Sequence, residues 1–130
     1  MVNDPVSDLI IQIKNASAAN KPVISLPYSE MKFTIAEILA KEGFVKSVSK
    51  KGKKIKKYLD IELLYNGNSP KVRGVKRISK PGRRVYKKVG EIKKVKQGYG
   101  VLVLSTPRGI LTDKQAKEEK VGGEALFEIW

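Results

Sequence analysis

The stretch Leu104-Ser105-Thr106-Pro107-Arg108-Gly109 predicts how the second half of the chain folds. It begins at the end of the apolar run 101–104, which is typical of a short buried strand, so Ser105 and Thr106 should emerge at a fixed edge of a sheet. Near the C-terminus, Val121-Gly122-Gly123-Glu124 leads into an alternating segment, 124–130, that can return as the partner strand. We therefore expect these two polar stretches to form the walls of one surface.

The residue types in these two stretches suit contact with a ribose or a phosphate. Ser105 and Thr106 each carry one donor and two acceptor lone pairs on a short side chain, and paired glycines allow another backbone to approach closely. The alternative is that 106–109 is only a β-turn, with Pro107 at its second position and Gly109 at its fourth. Local sequence leaves both interpretations open.

Composition excludes several classes of protein. The chain has 130 residues, of which 41% are hydrophobic, which is enough for a packed core in one domain or two small ones. It contains no cysteine and no histidine, which excludes disulfides and thiolate sites and removes the commonest acid-base catalyst. No apolar run approaches a membrane span, and no signal segment is recognisable. We expect a cytoplasmic protein without a metal, a cofactor or a small-molecule substrate.

Positive charge is concentrated in the middle of the chain. The formal net charge is +14, and residues 50–100 hold 18 Lys and Arg against 3 acids, whereas residues 1–49 are neutral and residues 101–130 sum to −1. A block this dense costs self-repulsion unless a polyanion neutralises it. Nucleic acid is the first candidate, because these lysines lack the apolar periodicity of a membrane-surface helix.

Periodicity predicts an α+β fold of two small domains. The first, residues 1–65, should follow the order α-β-α-β-β, with a helix capped by Asn3 or Asp4 and a second helix that Ser29 caps and Gly43 ends. Residues 66–70 have linker composition. The second domain, residues 71–130, should be mostly antiparallel β with one short helix beginning at Thr112.

Two basic turns are candidate phosphate contacts. The tip of the predicted hairpin 44–65 carries Lys53, Lys54, Lys56 and Lys57. The turn 78–84 carries Lys80 and Arg84 and is followed by Tyr86, which either stacks on a base or packs half-buried in a strand. Gly98-Tyr99-Gly100 precedes a strand, which favours a hairpin turn over a nucleotide-binding loop.

Two other functions compete with RNA binding. An RNA-modifying or RNA-cleaving enzyme would use Asp60, Glu62 or Glu124 with a metal, but alternation places the first two on a wet strand face. A DNA-compacting protein would bind duplex DNA and structured RNA equally. The concentrated charge alone does not separate these functions from RNA binding.

Five motifs in order carry a resemblance to a known family. They are Asp4-Pro5-Val6-Ser7-Asp8, Ile13-Lys14-Asn15-Ala16, the helix from Ile35 to Gly43-Phe44, Lys76-Arg77-Ile78-Ser79-Lys80-Pro81-Gly82 with Tyr86, and Ser105 to Asp113 followed by Val121-Gly122-Gly123-Glu124. In these motifs the chain resembles the bacterial small-subunit ribosomal protein S8 family over essentially its whole length. The resemblance implies a two-domain α+β protein without catalytic activity.

The resemblance also implies partners and contact residues. The partners are the central domain of small-subunit ribosomal RNA, neighbouring ribosomal proteins and the protein's own messenger RNA, which it would bind as a repressor. The main RNA surface carries over to Ser105, Thr106, Arg108, Gly122, Gly123 and Glu124, and a second surface to Lys14, Asn15, Ser29 and Lys32.

Two positions on the main surface need separate treatment. Pro107 departs from the family pattern, which has a hydroxyl residue there, so contacts through that hydroxyl or the backbone N–H do not carry over. Glu124 repels phosphate; it should accept a hydrogen bond from a base, a 2′-hydroxyl or Arg108, or else brace its own loop.

Overall fold

The computed structural model describes residues 4–130 and has the predicted α+β architecture. The chain divides into two compact units. The first unit is Pro5–Arg73, and the second is Gly74–Trp130 together with Asp4. The first unit contains α1 (Pro5–Ala18), β1 (Val23–Pro27), α2 (Glu30–Lys41), β2 (Val45–Lys53), β3 (Lys56–Leu63), β4 (Tyr65–Asn66) and β5 (Ser69–Pro70). The second contains β6 (Val75–Arg77), β7 (Tyr86–Lys87), β8 (Val101–Thr106), β9 (Gly109–Thr112), α3 (Asp113–Glu119) and β10 (Gly123–Ile129), with 3₁₀ turns at Val89–Glu91 and Val95–Gly98.

Both long helices of the first unit follow the predicted pattern. The i, i+3, i+4, i+7 stripe of α1, Val6 to Ile13, is fully buried. The Ser29 hydroxyl caps α2 by accepting the N–H of Lys32 at 3.1 Å. Gly43, at φ +83°, ends the helix, because its left-handed backbone lets the N–H of Phe44 reach back to the carbonyl of Leu39 at 2.9 Å. The alternative α1 cap, Asn3, lies outside the described residues.

A three-stranded antiparallel sheet completes the core of the first unit, in the order β1-β3-β2. Leu59, Ile61 and Leu63 alternate along β3 and are buried, as their spacing predicts. The intervening Asp60 and Glu62 lie on the wetter face, where Lys51 and Lys46 approach their carboxylates at 3.8 and 3.2 Å. These two acids are therefore held in surface ion pairs.

The predicted linker, 66–70, lies inside the first unit. Tyr65 pairs with Pro70 and Asn66 with Ser69, so these residues form a small hairpin whose turn contains Gly67 at φ +63°. After this hairpin the chain remains hydrogen-bonded to the first unit, because the N–H of Lys71 donates to the carbonyl of Leu64 at 2.9 Å. The division between the units falls after Arg73. Asn, Gly and Pro are as typical of a tight turn as of a linker, and local composition does not distinguish the two.

The second unit is built on a five-stranded antiparallel sheet. Its order is β6-β10-β8-β9, and β7 pairs with the first residues of β10, whereas β6 pairs with its last. The final strand returns beside β8 as predicted, with Ile129 opposite Val101 and Glu124 opposite Ser105. Strand β6 is confined to Val75–Arg77, and β9 was not predicted from the sequence. The turn at 107–108 therefore closes a hairpin.

Helix α3 begins as the capping pattern predicts. The Thr112 hydroxyl accepts the N–H of Gln115 at 3.2 Å, and the Gln115 side chain accepts the N–H of Thr112 at 3.1 Å. Ala116 then packs against the buried face of the sheet with Leu104 and Ala125. Within residues 4–130, no helix has the length and hydropathy needed to cross a membrane.

Candidate nucleic-acid interface

The start of β10 lies between two other backbones and forms the floor of a groove. On one side Glu124 is opposite Ser105, and on the other Gly123 is opposite Lys87. A Cβ on Gly123 would collide with the carbonyl oxygen of Ser105, and one on Gly122 with that of Lys87. Close strand packing thus requires both glycines. The groove encloses about 580 Å³ and is lined by residues 86–89, 91, 105–107 and 122–124.

The two hydroxyl residues at the groove have different roles. Thr106 donates from its hydroxyl to the carbonyl of Gly109 at 2.8 Å, and the same oxygen accepts the N–H of Arg108 at 3.1 Å. The hydroxyl of Thr106 therefore fixes the β8–β9 turn and keeps only one lone pair for a ligand. The half-buried Ser105 has no side-chain hydrogen bond within residues 4–130. Ser105 is thus the hydroxyl available to a partner.

Glu124 braces the neighbouring basic turn. Its carboxylate accepts the Ser79 hydroxyl at 2.5 Å and Nη1 of Arg84 at 3.1 Å. Ser79 is 0% exposed, and its oxygen in turn accepts the N–H of Val85 at 3.1 Å. This chain of hydrogen bonds connects β10 to the turn 78–84. Glu124 therefore braces the turn 78–84 and not its own loop, and its cationic partner is Arg84 and not Arg108.

Arg108 has a different partner from the one considered in the sequence analysis. Its guanidinium lies 3.6 Å from Glu119, and both side chains are exposed. Exposed pairs of this kind contribute little, because water screens them and the side chains lose entropy. The Arg108 side chain can thus leave Glu119 at small cost.

The side chain of Tyr86 is exposed to solvent at the edge of the groove. It is 69% exposed, so the half-buried packing interpretation is wrong. The adjoining Lys87 and Lys88 also line the groove. An exposed ring beside cations suits an unpaired base and its phosphate. Lys80 and Arg84 are exposed on the preceding turn.

The tip of the β2–β3 hairpin is an exposed cationic surface. Lys53, Lys54, Lys56 and Lys57 are all exposed, and none of them makes an ion pair in the part of the chain that the structure describes. The tight turn depends on Gly52, at φ +96°, where a Cβ would collide with the carbonyl oxygen of Lys56. Lys57 also lies 5.9 Å from the ring centre of Tyr28.

Two of the four N-terminal candidates have structural roles. Lys32 is buried, and its ammonium donates to Asp8 at 2.7 Å. This hydrogen bond, with a second from Gln12, holds the pKa of Asp8 below its usual value. The Ser29 hydroxyl is used by the α2 cap. The buried and paired ammonium of Lys32 contradicts its assignment as an exposed RNA contact. Ser29, whose hydroxyl keeps its O–H as a donor, and the exposed Lys14 and Asn15 on α1 stay predictions.

Part of the groove was not predicted from the sequence. Lys87, Lys88, Val89 and Glu91 form one wall, and Ser79 supports the base of the adjoining turn. The lysine pair following Tyr86 was the available signal for this wall. The role of Ser79 has no local signal, because its partner lies 45 residues away. Among residues 4–130, no group of three or more acidic side chains is arranged to hold a metal ion.

Comparison with known proteins gives a consistent family. A family model described as ribosomal protein S8 matches residues 4–130. The small ribosomal subunit protein uS8 of Halothermothrix orenii is 50% identical over 130 residues, covering 99% of this chain and 98% of the relative. Those of Dictyoglomus thermophilum and Mycoplasma mobile are 44% and 42% identical, covering 99% and 100% of this chain and 98% of each relative. The chain belongs to the ribosomal protein S8 family.

Proposed function

We propose that this chain is a structural, non-catalytic protein of the small ribosomal subunit that binds the central domain of small-subunit ribosomal RNA directly. Its partners are that RNA, neighbouring small-subunit proteins and its own messenger RNA, and its location is the ribosome in the cytoplasm. Family membership over residues 4–130 is the observation that carries the proposal. The groove and the basic hairpin are the surfaces we assign to it.

The groove supplies the contacts that recognise RNA shape. Ser105 offers a free hydroxyl to a 2′-hydroxyl or a base edge, and Tyr86 offers an exposed ring for stacking. Gly122 and Gly123 bring three backbones together without intervening side chains. Because Glu124 holds Ser79 and Arg84, the basic turn keeps a fixed position beside the groove. Fixed geometry allows these groups to favour one RNA over another.

The hairpin tip supplies affinity that depends on charge. Lys53, Lys54 and Lys56 are exposed and unpaired within residues 4–130, so phosphates are the partners that best neutralise them. Lys14 and Asn15 add a smaller exposed surface on α1. Such contacts position a protein on RNA but carry little sequence information.

The acids that an RNA-cleaving enzyme would need have other roles. Asp60 and Glu62 lie beside lysines, and Glu124 braces the turn 78–84. We therefore assign the acids to stabilising the fold. A chain that turns over RNA with added magnesium, and loses this activity on Glu124→Gln, would contradict this assignment.

Two measurements test the proposal. First, the chain should copurify with small-subunit particles in moderate salt. Second, filter binding should show preference for a central-domain RNA fragment over unrelated duplex RNA and duplex DNA of equal length. Equal affinity for all three would favour a DNA-compacting or non-specific role. A chain that remains free of ribosomal particles would contradict the proposal.

A further inference from the structure

The turn 93–99 at the other end of β8 has an aromatic residue that folding does not explain. Tyr99 is 86% exposed, so its ring gains almost nothing from burial. The turn itself needs only its neighbours: Gly98, at φ +97°, and Gly100, where a Cβ would lie 2.6 Å from Val95 and 2.8 Å from the carbonyl of Ile129. The local backbone therefore explains the glycines but gives no reason for the tyrosine.

The backbone before Tyr99 is strained, and it is anchored on both sides. Lys96 and Gln97 have φ of 48° and 57°, in the left-handed region that costs free energy for residues other than glycine. Val95 is buried before them, and the N–H of Gly100 donates to its carbonyl at 3.1 Å. The N–H of Tyr99 donates to the carbonyl of Lys96 at 3.1 Å. This anchored turn holds the ring of Tyr99 out in solvent.

Three lysines precede Tyr99 in this turn. Lys93, Lys94 and Lys96 are exposed, and none makes an ion pair within residues 4–130. The ammonium of Lys96 lies 4.6 Å from the ring centre of Trp130. The nearby acid Glu91 uses its carboxylate to accept the N–H of Lys88 at 2.8 Å. The turn therefore presents an exposed aromatic ring together with uncompensated positive charge.

This surface is distinct from the groove. Tyr99 precedes β8, whereas Ser105 and Thr106 end it. At about 3.3 Å per residue, the strand separates its two ends by roughly 17 Å. One nucleotide therefore cannot contact both Tyr99 and Ser105.

We propose that the turn 93–99 is a second RNA contact, in which Tyr99 stacks on an unpaired base and Lys93 and Lys94 contact the adjoining phosphates. This inference rests on the proposed RNA-binding function and names a site that this function does not require. Charge complementarity favours RNA, since a nucleotide joins a flat ring to an anion and satisfies both features of the turn. A partner without bases would use the lysines and leave the ring without a role.

The test uses the full chain and a short oligouridylate as the unpaired RNA. Trp130 is the single tryptophan and lies beside Lys96, so its fluorescence reports binding at this turn. Tyr99→Ala should weaken oligouridylate binding roughly five- to a hundredfold, the effect of losing one stacked base. Tyr99→Phe should bind like the unchanged protein, because the ring is kept. Lys93→Gln with Lys94→Gln should flatten the salt dependence by about 0.7 for each phosphate that the lysines no longer neutralise.

Two controls separate this inference from the proposed function. Tyr86→Ala removes the exposed ring at the groove, and heparin supplies a polyanion without bases. The inference is overturned if Tyr99→Ala binds oligouridylate normally, or if only Tyr86→Ala weakens oligouridylate binding. It is also overturned if Tyr99→Ala weakens the binding of heparin as much as that of oligouridylate. In each case, preference of the unchanged protein for the central-domain fragment would leave the proposed function standing. If the unchanged protein shows no preference for the central-domain fragment, the proposed function is overturned instead.

Discussion

The hairpin tip in the first unit and the groove in the second use opposite means of contacting a polyanion. At the tip, lysines 53, 54, 56 and 57 are exposed and without ion pairs among residues 4–130. At the groove, Thr106 is bonded within its own turn and Arg84 is paired with Glu124. The tip therefore offers charge with little fixed geometry, and the groove offers fixed geometry with little net charge. This difference separates affinity from discrimination.

Changing Lys53, Lys54, Lys56 and Lys57 together to Gln should have the largest effect. Affinity for any RNA should fall, and the slope of log affinity against log salt should flatten by ~0.7 to 0.9 for each phosphate that the hairpin no longer neutralises. The measurement is filter binding at several salt concentrations. The matched control changes Lys41, Lys114, Lys117 and Lys120, which are also exposed, to Gln. Equal flattening in both variants would show that net charge, and not the hairpin, carries the effect.

Ser79→Ala should have the next largest effect, on the second unit. The buried Ser79 hydroxyl donates to Glu124 and accepts from Val85, so removing it leaves the N–H of Val85 without that partner and the Glu124 carboxylate with Arg84 alone. We expect a loss of about 1 to 3 kcal/mol in the free energy of unfolding. Denaturant unfolding followed by Trp130 fluorescence reports on this unit. Ser49→Ala, at an exposed position on β2, is the control and should change little. Equal stability of Ser79→Ala and the unchanged protein would mean that the bracing network contributes nothing.

Thr106→Ala should have a smaller effect. Its hydroxyl fixes the β8–β9 turn, and its loss should cost about 0.5 to 1.5 kcal/mol of stability without altering the salt slope of RNA binding. Thr106→Ser keeps the hydroxyl and should retain most of the stability in the same denaturant experiment. If both variants lose equal stability, the methyl group and not the hydroxyl supports the turn.

The smallest effect concerns the buried cation Lys32, in contrast to the exposed cations of the hairpin. Its hydrogen bond lowers the pKa of Asp8 below its usual value of 3.8. The charged carboxylate therefore contributes its full stabilisation at pH values above 3.8. The stability advantage over Asp8→Asn should be complete above that pH and should disappear as the pH falls through the lower folded pKa. Unfolding at several pH values tests this expectation. The exposed Glu37→Gln variant is the control, and an advantage that grows on acidification would contradict the assignment.

Helix ends could be predicted because their signals are local. Ser29 bonds three residues ahead, and Thr112 with Gln115 forms a reciprocal cap. The meeting of Ser105 with Glu124 was also predictable, because the alternating C-terminal segment can return beside the buried strand 101–104, although the register shifts between Ala125 and Phe127. By contrast, the strand β7 has two residues and no periodicity, so its place beside β10 could not be predicted from the sequence.

The roles that the sequence left open or assigned wrongly share one physical cause, which is that tertiary structure decides the role of a side chain. Lys32 has the sequence of an exposed helix residue, but Asp8, 24 residues away, holds its ammonium. The sequence left Tyr86 open to stacking or packing, and the sheet leaves its ring in solvent. Glu124 finds its partners in Ser79 and Arg84, which are 45 and 40 residues away. Tertiary packing, and not the local sequence pattern, decides the roles of these side chains.

The most direct test compares discrimination between two RNAs in groove and hairpin variants. Filter binding at several salt concentrations should use a central-domain fragment and an unrelated duplex of equal length. Ser105→Ala and Tyr86→Ala should each lower the affinity ratio between the two RNAs while leaving the salt slope nearly unchanged. The four-lysine variant should weaken both RNAs alike and preserve the ratio. A preserved ratio in both groove variants, with its loss in the four-lysine variant, would contradict the account and place specificity in the hairpin.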